Sequence, residues 1–138
     1  MKKTIPLGSR KAGALVLILA LALATMSLAA EDTWTTKTDM PTARNVLSTC
    51  VVDGKLYAIG GALGAATSSR AVAEYDPAID IWTQRANLPE ATCGLSTSAI
   101  GGKIYAIGGA TSAVGVARSS VYVYDPETDT WMQGTKMN

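Results

Sequence analysis

From Leu47 onward, apolar and polar positions alternate in short runs, each ended by a turn signal. Leu47-Ser48-Thr49-Cys50-Val51-Val52 is β-branched and partly alternating, and Asp53-Gly54 follows it. Asp-Gly between two such runs is a strong hairpin signal. Lys55 to Ile59 is the returning strand, with Leu56 and Ala58 on one face and Tyr57 and Ile59 on the other. Gly60-Gly61 closes it. A glycine pair there predicts close approach, with an aromatic side chain of the next strand or sheet as the expected neighbour. A loop of small polar residues runs from Ala62 to Arg70, and Ala71-Val72-Ala73-Glu74-Tyr75 is the third strand. Asp76-Pro77-Ala78-Ile79-Asp80 is a tight turn, because Pro pre-sets φ and an Asp side chain can accept from nearby N–H groups. Ile81-Trp82-Thr83-Gln84 is the fourth strand, and nothing between Glu31 and Asn138 has helical periodicity.

The whole pattern then returns. Leu95 to Ile100, the Gly101-Gly102 turn, Lys103 to Ile107 and Ser120 to Tyr124 repeat the first three strands and their hairpin. Gly60-Gly61 comes back as Gly108-Gly109 after 48 residues, whereas Tyr75-Asp76-Pro77 and Trp82 come back as Tyr124-Asp125-Pro126 and Trp131 after 49. Upstream, Thr33-Trp34-Thr35-Thr36-Lys37 reads as a lone copy of the fourth strand. A period of this size implies units that cannot bury their apolar faces alone and must stack.

The strand, Gly-Gly, spacer, Tyr-Asp-Pro-x-x-Asp-x-Trp pattern resembles the kelch repeat. It spans Gly60 to Trp82 and again Gly108 to Trp131. The resemblance implies an all-β fold: kelch-type β-propeller blades of four antiparallel strands, here an incomplete ring of two blades and one leading strand. The expected divisions are a blade at about 45–85, a second at about 93–134 and the leading strand at 33–37, within a kelch region of residues 31–138. Gly60, Gly61, Tyr75, Asp76, Trp82, Gly108, Gly109, Tyr124, Asp125 and Trp131 are the motif positions. Kelch units form rings of usually six or seven blades, so two blades leave an apolar face uncovered at the C-terminal end. The expectation is the front part of a longer reading frame, with self-association through open blade faces as the alternative.

The first thirty residues differ from the rest. Lys2, Lys3, Arg10 and Lys11 precede an uncharged run from Ala12 to Ala24, and Ser27-Leu28-Ala29 offers small residues for cleavage. This is the layout of a secretory signal peptide over residues 1–29, which predicts a secreted or periplasmic protein. If uncleaved, the segment is the chain's one expected tie to a membrane. Cleavage takes four of the twelve basic residues and none of the eleven acids, leaving 8 − 11 = −3. No basic cluster remains, so no nucleic-acid partner is expected. Aligning the repeats puts Cys50 and Cys93 five residues out of register, about 16 Å of extended chain, too far for a disulfide.

The chain has no histidine. That removes imidazole general bases, the serine triad and imidazole metal ligation. The kelch-like copper oxidases need histidine ligands, so that resemblance fails here. The cysteines lack metal-site spacing, the glycine pairs lack the lysine and helix of a phosphate loop, and no metal, cofactor or catalytic residue is expected. Asp76, Asp80, Asp125 and Asp129 recur with the turns and read as turn formers. Tyr57, Tyr105, Trp82 and Trp131 read as packing between blades. Arg44, Arg70 and Arg118 are the candidate ligand-binding residues, on a loop face that also carries Arg85. Guanidinium groups on such a rim suit carboxylates or sugars; the plainer alternative is that they are solvated loop charges or pair with Glu74 or Glu90. Arg44 fits an arginine the family often carries after the linker proline, although Thr92 replaces it in the second unit. The expected function is an exported binding scaffold for a protein or glycan. The alternative is a piece of a carbohydrate-active kelch enzyme resembling the sialic acid mutarotases, with Arg44, Arg70, Arg118 and Glu90 as candidates.

Overall fold

The computed structural model describes residues 32–138. The signal-peptide reading of residues 1–29 lies outside them. Eight strands follow one another: β1 (Ser48–Val52), β2 (Lys55–Ile59), β3 (Val72–Asp76), β4 (Ile81–Arg85), β5 (Ser96–Ile100), β6 (Lys103–Ile107), β7 (Val121–Asp125) and β8 (Thr130–Gln133). They form two antiparallel four-stranded sheets in sequence order, β1-β2-β3-β4 and β5-β6-β7-β8. The hairpin turns need positive φ, which Asp53 and Gly54 adopt at 49° and 75° and Gly101 and Gly102 at 58° and 76°.

The register sets the faces. Cys50, Tyr57 and Glu74 lie opposite one another across β1, β2 and β3, as do Ile59 and Val72 across β2 and β3. In the second sheet the matching sets are Ala99, Ile104, Tyr124 and Trp131, and Thr97, Ala106 and Tyr122. These two faces meet. Val52, Tyr57, Ile59, Val72, Ile104, Ala106, Tyr122 and Tyr124 form one buried cluster with Leu88 and Leu95 of the connecting linker. The strand backbones of the two sheets approach within 8 Å only where β1 faces β5 and β6. The sheets therefore meet at their inner strands and diverge outward, as propeller blades do.

Residues 33–37 carry no strand, which corrects the expected leading strand. A fourth strand needs a third strand beside it, and the third strands present, β3 and β7, already pair with β4 and β8. Trp34 is fully exposed. Both cysteines are free thiols.

Candidate functional site

The repeated aspartates and tryptophans act together, as a latch between units. The Tyr124 hydroxyl donates to Asp129 Oδ1 at 2.5 Å, and the same oxygen accepts from the Ala86 backbone N–H at 2.8 Å. The Trp131 indole N–H donates to the Ala86 carbonyl at 2.9 Å. One residue of the linker leaving the first sheet is thus gripped at both its N–H and its C=O by the second sheet. The first sheet grips Thr38 in the same way: Thr38 N–H donates to Asp80 Oδ1 at 3.0 Å and Trp82 donates to the Thr38 carbonyl at 2.9 Å, with Tyr75 donating to Asp80 at 2.6 Å. Asp80 and Asp129 reach these partners with φ of 57° and 52°. Aspartate tolerates that region better than most residues.

The protonation states fit the grip. The hydrogen bond to Asp80, with burial, pushes the Tyr75 hydroxyl up to about 12. Burial and then Asp129 push Tyr124 well above its ordinary value. The Tyr75 and Thr38 donors hold Asp80 below the usual carboxylate range. Burial pushes the Asp129 carboxyl up, but the Tyr124 and Ala86 donors outweigh it and leave it low. Asp76 and Asp125 do local work, accepting the N–H groups of Ala78 and Glu127 within their turns. Tyr75, Tyr124, Trp82, Trp131 and these aspartates are engaged in structural contacts, whereas Tyr105, expected to pack between blades, pairs with Ser98 and Val123 on the face turned away from the first sheet.

The glycine pairs do mark close approach, but not to an aromatic ring. A Cβ on Gly60 would lie 2.5 Å from the Thr92 carbonyl oxygen and 3.0 Å from Leu95 Cδ2. The Gly61 N–H donates to that carbonyl at 2.9 Å, and Thr92 N–H donates to Ser69 O at 3.1 Å. The β2–β3 loop and the linker between sheets therefore come together on one side of the molecule.

The three arginines on this side do different things. Arg44 points its Nη1 at the carbonyls of Gly60 and Ala71, at 2.6 and 2.7 Å. It is a clamp on the backbone, and burial pushes its pKa down. Arg70 is exposed and its Nε donates to the Leu88 carbonyl at 2.7 Å. Arg118 pairs with Glu90 at 2.5 Å. Arg70 and Arg118 also prove not to be equivalent. Ser69 N–H donates to Gly61 O as Arg118 N–H donates to Gly109 O, and Leu88 N–H donates to Arg70 O as Met137 N–H donates to Ser119 O. Arg118 thus matches Ser69, and Arg70 matches Ser119, because the second loop is one residue longer. Neighbouring positions of an extended chain face opposite ways, so the two guanidinium groups are not brought together.

Arg118 alone of the three lines the cleft formed with Glu90, Ser119, Ser120, Tyr122, Gln133 and Lys136, with a volume of about 200 Å³. Its Nε, like that of Arg44, is buried without a hydrogen-bond partner. Burial, followed by the Glu90 carboxylate, raises the Tyr122 hydroxyl. A shallower cleft of about 300 Å³ lies over Ala43, Arg44, Asn45, Ala62, Leu63 and Gly64. Among the described residues there is no group of three or more histidine, cysteine or acidic side chains placed to hold a metal ion. No helix there is long and apolar enough to cross a membrane.

Glu74, weighed in the sequence only as a partner for the loop-face arginines, is 3% exposed in the face between the sheets. It accepts from Lys55 Nζ at 2.8 Å, from the Tyr57 hydroxyl at 2.7 Å and from Arg85 at 2.8 and 2.9 Å. The sequence signal was an acid in a strand position whose counterpart in the second unit is Val123.

Two wedge-stacked four-stranded sheets with a repeating latch define blades of a β-propeller. The Kelch motif profile matches residues 47–89 and 91–138, so the chain belongs to the kelch family. Among solved structures, that of YjhT is similar with a TM-score of 0.70 at 20% sequence identity, covering 79% of this chain. The chain spans 42% of the length of that structure. No curated protein matches it in sequence.

Proposed function

We propose that the protein is an exported binding scaffold that recognises an anionic group on a glycan or protein through the side formed by its β2–β3-type loops and linkers. The observation that carries this reading is the cleft lined by Arg118, Lys136, Gln133, Ser119 and Tyr122, in which Glu90 pairs with Arg118 and leaves Lys136 as a second cation. The repeated motif residues are engaged in holding the sheets together, so the loop side is where specificity can vary. A charge-assisted hydrogen bond is worth about 1.5–3 kcal/mol. Arg118→Ala is therefore expected to weaken binding of a carboxylate-bearing glycan or acidic peptide by about tenfold to a hundredfold in calorimetric titration. Unchanged affinity in the variant defeats this assignment.

Export is part of the reading, on the strength of the basic start, the apolar run and Ser27-Leu28-Ala29. The intact mass of the protein recovered from its producing cells is expected to begin at Ala30 or Glu31. A mass that includes Lys2 and Lys3 removes the cleaved-leader reading.

A second reading makes the chain part of a carbohydrate-active enzyme similar to the sialic acid mutarotases. The observation that favours it is the pairing of Arg118 with Glu90 in one cleft, an acid beside a cation that could hold a sugar carboxylate. The same titration separates the two, because anomer interconversion in the wild-type sample that disappears in the Arg118→Ala sample belongs to the enzyme alone.

A further inference from the structure

The face of the second sheet turned away from the first carries Ile100, Tyr105, Ile107, Val121, Val123 and Met132 in register. Their counterparts in the first sheet are Val52, Tyr57, Ile59, Val72, Glu74 and Thr83. The first five of these are at most 5% exposed beneath the second sheet, whereas Ile100, the counterpart of Val52, is 63% exposed; Thr83, the counterpart of Met132, is exposed even there. The outer face is also more apolar than its covered equivalent, since Val123 stands where Glu74 stands in the first sheet.

A row of backbone groups lines the same face. In the first sheet Gly61 N–H donates to the Thr92 carbonyl and Ser69 C=O accepts from the Thr92 N–H. The Ala86 N–H and C=O are held by Asp129 and Trp131. The equivalents in the second sheet are Gly109 N–H, Arg118 C=O and both backbone groups of Thr135. None of the four has a partner among the described residues. Gly108, the counterpart of Gly60, has only the Met137 side chain and the Arg118 carbonyl near its vacant Cβ position.

The chain itself holds the matching half. Arg44 occupies the position of Thr92, and Asp80 and Trp82 occupy those of Asp129 and Trp131. The outer face of the first sheet presents Val51, Leu56, Tyr75 and Trp82, the counterparts of the Ala99, Ile104, Tyr124 and Trp131 that cover it from the other side. The Asp80–Trp82 latch is filled by Thr38 of the same chain. Thr38-Asp39-Met40 and Thr135-Lys136-Met137 share the pattern Thr-x-Met.

We infer that, in the 138-residue chain by itself, the face of β5–β8 left uncovered among the described residues receives the β1–β4 sheet of a second copy of that chain, head to tail. Thr135-Lys136-Met137 of one copy enters the Asp80–Trp82 latch of the next in place of that copy's own Thr38-Asp39-Met40. The exchange swaps like hydrogen bonds for like, and the gain is the apolar face buried. Such an interface is heterologous and ends only when a ring closes. Rings of about 4–8 blades correspond to roughly two to four copies.

The test is the mass of the full chain by sedimentation equilibrium from micromolar to near-millimolar concentration. The expected result is a rise from the monomer mass to roughly two to four times that value. Ile100→Glu places a charge on the receiving face at an exposed position whose counterpart, Val52, is covered in the first sheet, and keeps the monomer mass throughout. Removing residues 32–40 empties the latch and moves assembly to lower concentration. Assembly of the shortened chain alone still supports the exchange. A monomer mass for both the intact and the shortened chain, or assembly indifferent to Ile100→Glu, overturns the proposal.

Discussion

Gly60→Ala is expected to lower the unfolding free energy by about 3 kcal/mol, while Gly108→Ala, the same change in the next repeat, lowers it by about 1–2 kcal/mol. Both glycines sit in the left-handed region, with φ of 64° and 66°. A side chain there costs about 1–2 kcal/mol whatever surrounds it. The surroundings differ. At Gly60 the new methyl meets the Thr92 carbonyl oxygen at 2.5 Å, a backbone atom fixed by its hydrogen bond from Gly61. At Gly108 the nearest atom is the Met137 Cε at 3.2 Å, the end of a flexible side chain. Forcing atoms into a packed contact adds about 1–3 kcal/mol. Urea unfolding midpoints of the two variants check the difference. Equal losses would show that backbone conformation, not the neighbouring sheet, demands glycine at the doublet.

That contrast shows what the sequence could and could not tell. The eight strands were legible because each is a short apolar or alternating run bounded by Asp-Gly, Gly-Gly or Asp-Pro, all local signals. The roles of Asp80 and Asp129 were legible only in part. Their place in a turn is written locally, but their grip on Thr38 and Ala86 spans 42 and 43 residues. The Gly-Gly doublet announced a close neighbour but pointed to an aromatic ring instead of the Thr92 carbonyl, which belongs to a linker with no pattern of its own. Val46 shows the same limit. It adopts φ 52° where the second repeat has Gly94 at 62°, and a β-branched residue gives no warning of that conformation.

The candidate site was less legible than the fold. Arg70 and Arg118 looked equivalent because both lie near the end of the same loop and are 48 residues apart, the spacing of the glycine doublets. The strands after that loop keep a spacing of 49. The extra residue falls before Arg118 and turns it into the cleft, while Arg70 stays exposed over the linker. Sequence spacing could not say on which side of the insertion each arginine falls. Arg44 was singled out by resemblance, and its contacts with two carbonyls make it a clamp within the fold.

Glu74→Ala is expected to cost about 3–5 kcal/mol, the range for removing one partner of a buried ion pair. The loss comes mainly from what remains. The Tyr57 hydroxyl is left buried without its acceptor, and Arg85 and Lys55 lose the carboxylate that holds them at the junction of the sheets. Lys55 and Arg85 are 38% and 28% exposed and recover part of their hydration, which sets the value toward the low end. Glu74→Val with Tyr57→Phe removes the orphaned hydroxyl and copies the valine of the second repeat. That pair should be less destabilised than Glu74→Ala alone. The cluster also gives stability a pH dependence with a definite sign. Burial pushes the Glu74 carboxyl up, but the donors Lys55, Tyr57 and Arg85 together outweigh it and leave its pKa below the ordinary value. A carboxyl depressed on folding contributes fully above its unfolded pKa of about 4.3. The contribution fades as pH falls from there through the lower folded value, because the unfolded chain then binds the proton first. The wild-type protein should therefore lose stability between about pH 5 and pH 3 more steeply than Glu74→Val/Tyr57→Phe. Parallel acid limbs for the two proteins in thermal melts would mean that Glu74 is not held as a carboxylate by its three partners.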